Sequence, residues 1–163
     1  MNRRSSFPLF SLTVLLSVIL QMVALPDAIA AFRPEWVALT LVYWAYSTAD
    51  KPVLLVAWIS GLALDVLFNS LLGQHALALV TISFLVRRLR GTLILFPMLQ
   101  VALALALAWA LYAFLMFWID GLSHHSAVPS LRWLPVISTT LVFPLAALLM
   151  DRLRAQPKLR RLT

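Results

Sequence analysis

The chain has 163 residues, 63% hydrophobic and 12% charged, and its apolar runs are far longer than a soluble core of this size needs, so one membrane domain over residues 1–163 is expected. Thirteen basic residues against six acidic ones give a formal charge of +7, but they sit in short clusters between apolar runs, which is a topology signal and not a nucleic-acid surface. The absence of cysteine from this sequence excludes disulfides, iron–sulfur clusters and thiol catalysis.

Behind Arg3 and Arg4, residues 7–25 form an apolar run whose polar members are serines, Thr13 and Gln21; Pro26 and Asp27 end it. Ala28-Ile29-Ala30 has the small-x-small form of a signal-cleavage site. The run is longer than the ~7 to 15 residues of a signal core and long enough to span, so it is expected to stay as a first helix. Phe32-Arg33-Pro34-Glu35-Trp36 opens the second helix, predicted over 34–48. Pro34 suits a first helical turn, where a missing N–H costs nothing, and Glu35 suits the positive end of the helix dipole. Residues 49–52 connect it to a third helix over 53–68. A turn over 69–73 then leads into a fourth over about 72–86, expected to stop at Arg87-Arg88-Leu89-Arg90-Gly91.

At ~1.5 Å per residue the second to fourth helices reach only about 22 to 24 Å, short of the ~30 Å hydrocarbon layer, so they need a thinned bilayer or cover from longer neighbours. The fifth, over 93–119, is about 40 Å long and should tilt. Its Leu-Ala alternation over 103–108 has a strand's period, but an isolated strand cannot satisfy its backbone in lipid, and both residues favour helix. Wound as a helix, Ala102, Ala106 and Ala110 make a small-residue stripe suited to close packing, and Trp109, Tyr112, Phe114, Phe117 and Trp118 crowd an interfacial end. A loop over 120–132 carries His124 and His125, adjacent and without a third ligand type beyond Asp120, so no metal site is expected. The last helix is predicted over 133–150, with Pro144 placed to kink it and Ser138, Thr139 and Thr140 placed to satisfy the loosened backbone. The tail, 151–163, carries Arg152, Arg154, Lys158, Arg160 and Arg161.

Six helices put both termini on one side. With that side cytoplasmic, eleven basic residues face inward and only Arg33 and Arg132 outward, as the positive-inside rule asks. The chemistry concentrates at Asp65, a carboxylate inside the apolar stretch 58–79, with Gly61 one turn before it and Gly73 and His75 just after. A charge at membrane depth normally faces the protein interior and has a partner. Asp65 would lie about 6 Å below the outer end of the third helix. An Arg33–Asp65 pair, or a network that includes Glu35 or His75, is expected to latch the first outer loop to that helix, a structural role favoured over proton or ligand binding. Gly61 would let another helix approach beside the carboxylate. No nucleophile, metal cluster or phosphate-cradling glycine loop accompanies Glu35 and Asp65, so neither catalysis nor a cofactor is expected.

Taken together, the basic start, the FRPEW segment with a short helix ending Val42-Tyr43-Trp44, Gly61-x3-Asp65-x7-Gly73 and the basic tail resemble the MreD family over nearly the whole chain. Relatives often carry a second glycine where this chain has Ala57. The resemblance implies a non-enzymatic, multi-pass inner-membrane partner of MreC. Through MreC it would join MreB filaments to RodA and a penicillin-binding transpeptidase in lateral peptidoglycan synthesis, with membrane lipid as a further contact and a homo-oligomer left open. The family is similar in fold to the six-helix substrate-binding components of energy-coupling-factor vitamin transporters. That similarity supplies the alternative reading, a transporter's substrate-binding component.

Overall fold

The computed structural model describes residues 7–24, 26, 30–122 and 133–154, and these fold into six helices and no strand. They are α1 (Phe7–Met22), α2 (Trp36–Ser47), α3 (Val53–Leu67), α4 (Gln74–Leu93), α5 (Met98–Leu122) and α6 (Leu134–Arg154). Arg3, Arg4, His124, His125, Arg132, Lys158, Arg160 and Arg161, and so most of the expected basic tail, lie outside the described residues.

The bundle is built around its shortest helix. Every residue of α2 from 37 to 45 is buried, all the way round. A helix that is hydrophobic on all sides belongs in the interior, and α2 is enclosed by α1, α3, α4 and α6. At about 18 Å it is too short to cross a bilayer by itself, but protein, not lipid, surrounds it, so its ends need no direct contact with hydrocarbon. Trp44 anchors it: its ring meets Phe10 edge-on at 5.3 Å between centroids, and its indole N–H donates to Thr13 Oγ1 at 3.0 Å. Helix α4 is the second hub, packing on α2, α3 and α5, and α6 closes the bundle on α5.

Two of the helices, over Met98–Gly121 and Leu134–Arg154, are long and apolar enough to cross a membrane; α1 and α3 are apolar but shorter. Their outward faces carry Leu12, Leu55, Leu103, Leu107, Leu141 and Leu145, all more than half exposed. An apolar surface this extensive is stable against lipid and not against water.

Several boundaries differ from the sequence expectations. The fourth helix does not stop at Arg87 but continues to Leu93. Arginine and leucine are good helix formers, and the arginines find acceptors without leaving the helix: Arg87 donates to the carbonyl of Ala49 at 3.0 Å and Arg90 to that of Tyr46 at 2.9 Å. The break falls instead before Pro97, which has no N–H to continue the ladder. Accordingly α5 starts at Met98, not 93. The small-residue stripe on α5 is only partly inward: Ala102 is buried, whereas Ala106 and Ala110 sit half-buried beside the core row of Val101, Leu105, Trp109 and Tyr112. The large side chains gain more from burial than the alanines, so they set the rotation of the helix. Pro144 lies inside α6, which runs on to Arg154. The hydroxyls of Ser138 and Thr140 donate to the carbonyls of Pro135 and Val136, within their own turns, and not to the carbonyl that Pro144 frees.

The two ends of the bundle differ in chemistry. One gathers Lys51, Arg87, Arg88, Arg90, Arg152 and Arg154 from the α2–α3 connection, α4 and α6. There Tyr43 donates to Asp151 Oδ1 at 2.5 Å, Arg154 donates to the Tyr43 hydroxyl at 3.2 Å and lies over the Trp44 ring, and Lys51 lies over the Phe7 ring. At the opposite end Arg33 is the one lysine or arginine among the described residues.

Candidate functional site

The end opposite the basic cluster is where short helices stop within the bundle. Each helix terminus leaves backbone N–H or C=O groups without intrahelical partners, which need another partner wherever they are buried. Side chains from neighbouring helices serve them instead.

The clearest case is Asp65, whose side chain is fully buried near the end of α3. Its Oδ2 accepts the Gly73 N–H at 2.8 Å; its Oδ1 accepts the His75 N–H at 2.9 Å and the Ser70 hydroxyl at 2.9 Å, and lies 2.8 Å from His75 Nδ1. One helix thus caps the start of the next, with a carboxylate at the positive end of the α4 dipole. Two glycines allow it. Gly73 holds φ +96, a left-handed conformation that a side chain would strain, at the point where the chain turns into α4. A Cβ on Gly61 would fall onto the Ala76 backbone and within 2.9 Å of the His75 carbonyl carbon, so only glycine lets α3 and α4 approach this closely. Phe68 covers His75 with its ring centroid 5.9 Å away.

A second cluster joins α1, α2 and α6. Gln21, near the end of α1, accepts the Trp36 N–H on Oε1 and donates through Nε2 to Glu35 Oε2, both at 2.9 Å. Thr139 Oγ1 accepts the Glu35 N–H at 3.0 Å, so the first N–H groups of α2 are capped from two other helices. Arg33 donates to the carbonyls of Leu20 and Gln21, covering the α1 C-terminus. The Arg33–Asp65 pair anticipated from charge is therefore not formed. Asp65 is met by His75, Ser70 and Gly73, while Arg33 and Glu35 belong to the Gln21 cluster. Sequence reasoning gave no site role to Gln21 or Ser70 and assigned Thr139 to the backbone loosened by Pro144, whereas it caps Glu35; the available signal at Gln21 and Ser70 was a polar residue beside a helix end.

Between the two clusters lies an open cavity of about 270 Å³. Gln21 and Glu35 line it on one side, Phe68 and His75 on another, and Pro135, Val136 and Thr139 on a third; α5 contributes Trp109, Tyr112, Ala113, Met116 and Asp120. Gln74 Nε2 donates to Asp120 Oδ1 at 2.6 Å, tying the start of α4 to the end of α5 beside the opening. With Nδ1 directed at Asp65, His75 keeps its other ring nitrogen for a different contact. No group of three or more metal-ligating side chains occurs among the described residues. The arrangement can hold a small polar group; it contains no paired nucleophile and base.

Residues 1–152 match the family described as rod shape-determining protein MreD. The rod shape-determining protein MreD of Haemophilus influenzae is 26% identical over 151 residues, covering 88% of this chain and 89% of that one. No solved structure matches the chain. With a family match that runs from the first residue into the last helix, the chain belongs to the MreD family of rod shape-determining proteins.

Proposed function

We propose that this chain is a non-enzymatic scaffold and regulatory subunit of the bacterial cell-elongation machinery, a multi-pass protein of the inner membrane. It binds MreC and, through MreC, helps control lateral peptidoglycan synthesis by RodA and a penicillin-binding transpeptidase, in register with MreB filaments. The observation that carries this reading is the family match over residues 1–152. The geometry supports it in two ways. The polar residues at the cavity end are engaged in capping helix ends, which is work for a rigid body and not for turnover. The connections between α2 and α5 are short, so the chain acts chiefly through surfaces held within and beside the bilayer.

In this reading all six helices span. The basic end, with the tail beyond it, lies against the cytoplasmic leaflet and its anionic lipids, and the cavity end faces outward.

The alternative, a substrate-binding transporter component, is favoured by one feature, the polar-lined cavity. At about 270 Å³ it lies at the lower edge of the ~300 to 1,000 Å³ of small-molecule pockets, and the scaffold reading is preferred on the family match.

The test is a mild-detergent pulldown of the tagged chain from its native membrane, with co-purifying proteins and small molecules identified in the same sample. Recovery of MreC without a stoichiometric small ligand is the expected result. A retained vitamin-like molecule with a transport ATPase would reverse the choice.

A further inference from the structure

A second recess opens on the side of the bundle. Helices α1 and α6 each pack on α2 but scarcely on each other, so a seam is left between them with α2 as its floor. Over about 140 Å³ it is lined by Leu16, Leu20, Leu39, Leu149, Met150 and Leu153. The rim leucines, on α1 and α6, stand more than a third exposed. Such a recess takes a hydrocarbon chain; a helix, about 10 Å across, does not enter it.

Two features distinguish the seam from an ordinary lipid-facing gap. The first is an unspent donor. Thr40, in the floor, is 3% exposed, and its hydroxyl makes no hydrogen bond among the described residues. The hydroxyls of Ser60, Thr81 and Thr140, by contrast, donate to the carbonyl one turn back. Thr13 and Ser17, in the seam wall, are likewise spent on the carbonyls of Phe10 and Val14. Buried polar groups are rarely left unpaired, so Thr40 points to an acceptor oxygen on whatever fills the seam.

The second feature is charge at one mouth. Leu153, on the rim, lies in the last turn of α6 between Arg152 and Arg154. The Arg154 guanidinium sits 5.4 Å from the centroid of the Trp44 ring, whose N–H donates to Thr13 in the seam wall, so it stands where the seam opens at the basic end. Arg152 is exposed and has no ion pair among the described residues. Two arginines thus meet one carboxylate, Asp151, which already accepts from Tyr43. That mouth is positive, and guanidinium groups suit phosphate. Trp44 and Thr40 are one turn apart on α2, about 6 Å along its axis. The glycerol backbone of a phospholipid bridges a separation of that order between its phosphate and its ester carbonyls.

We propose that the α1–α6 seam is a binding site for one anionic glycerophospholipid of the leaflet at the basic end. Its phosphate meets Arg152 and Arg154, an ester carbonyl accepts from the Thr40 hydroxyl, and one acyl chain lies along Leu16, Leu20 and Leu39. The proposal requires only that the chain is embedded in a membrane, and it does not depend on which protein partners the chain.

To test it, the full chain is purified in mild detergent, mixed with equal amounts of phosphatidylglycerol and phosphatidylethanolamine, and read by native mass spectrometry. The expected result is one retained phosphatidylglycerol per chain and no retained phosphatidylethanolamine. Ala146→Trp, which fills the seam, should abolish retention. Arg152→Gln should lower occupancy about fivefold. Arg88→Gln makes the same charge change on α4, which does not line the seam, and should leave occupancy unchanged. Thr40→Val should lower retention of the diester lipid about fivefold and leave that of its diether analogue, which has no carbonyl, unaltered. Folding of every variant is read separately by size-exclusion chromatography of a fluorescent fusion; should Ala146→Trp fail to fold, Arg152→Gln and Thr40→Val decide alone. Equal retention of the two lipids, no retained lipid, or undiminished retention in folded Ala146→Trp or Arg152→Gln would overturn the proposal. So would an equal response of the diester and diether lipids to Thr40→Val. In native membranes, Leu149→p-benzoylphenylalanine should crosslink to phospholipid on irradiation; crosslinking to a protein would give the seam to a partner's helix and overturn the proposal as well.

Discussion

Asp65 shows how a single polar side chain is accommodated in an apolar bundle. Its carboxylate engages two backbone N–H groups, a hydroxyl and an imidazole, so removing it would orphan donors at the α4 start as well as the His75 ring. Asp65→Ala should destabilise the protein by about 3 to 5 kcal/mol, the range for breaking a buried pair. Asp65→Asn keeps one acceptor oxygen but turns an amide donor toward other donors, and should cost about 1 to 3 kcal/mol. Equilibrium unfolding in mixed detergent would measure both, and wild-type stability in the alanine variant would show that the cap is dispensable. At this scale the sequence was legible where a residue looked out of place, as Asp65 does in its apolar run. It was misleading where opposite charges invited pairing. Arg33 and Asp65 carry the right signs, but each is claimed by a helix end of opposite dipole, which charge counting along a sequence does not register. Gln21, the residue that joins α1 to α2, gave only a weak signal, because a glutamine near the end of an apolar helix is unremarkable in composition.

Helices α3 and α4 are packed at a distance set by one missing side chain. Because a Cβ on Gly61 would meet backbone and not the movable end of a side chain, the clash can be relieved only by shifting a whole helix. Gly61→Ala should therefore cost about 1 to 3 kcal/mol despite adding a single methyl group to a helix that otherwise prefers alanine. Since Asp65 lies one turn further along α3, the same shift should lengthen its bonds to Gly73 and His75 and raise amide hydrogen exchange selectively in the first turn of α4. Exchange that rises evenly across the bundle, or not at all, would count against this coupling. The helices themselves were legible from apolar run length, and their boundaries were less so. The arginine cluster after residue 86 has the composition of a loop, yet Arg87 reaches the Ala49 carbonyl in the neighbouring connection and Arg90 the Tyr46 carbonyl at the end of α2 while both stay helical, a long-range arrangement with no local mark. The rotation of α5 was similarly hidden, because a small-residue stripe and a row of Leu105, Trp109 and Tyr112 compete for the same interior.

The molecule as a whole is polarised, and the polarity yields its most direct test. Six lysines and arginines among the described residues gather at one end, against Arg33 at the other. Two of the six, Arg87 and Arg90, reach backbone carbonyls of the α2–α3 connection (Ala49) and of the last turn of α2 (Tyr46), so that end is built around its cations. The cavity is a property of this scale alone: its lining comes from α1, α4, α5, α6 and the segments beside α2 and α3, and no stretch of sequence foretells it. Orientation, in contrast, follows from the placement of basic residues, since cytoplasmic retention of lysine and arginine is what fixes topology. The sequence contains no cysteine, so introduced thiols report without background. Leu72 is 71% exposed in the turn before α4, and Leu95 is 80% exposed in the turn before α5, at opposite ends of α4. With the basic end cytoplasmic, Leu72→Cys should react with a membrane-impermeant maleimide in cells whose outer envelope is opened, and Leu95→Cys only after the inner membrane is breached. The reverse pattern would put the cavity in the cytoplasm and leave an outward-facing partner nothing to dock into, while labelling of both sites in intact inner membranes would mean that α4 does not span.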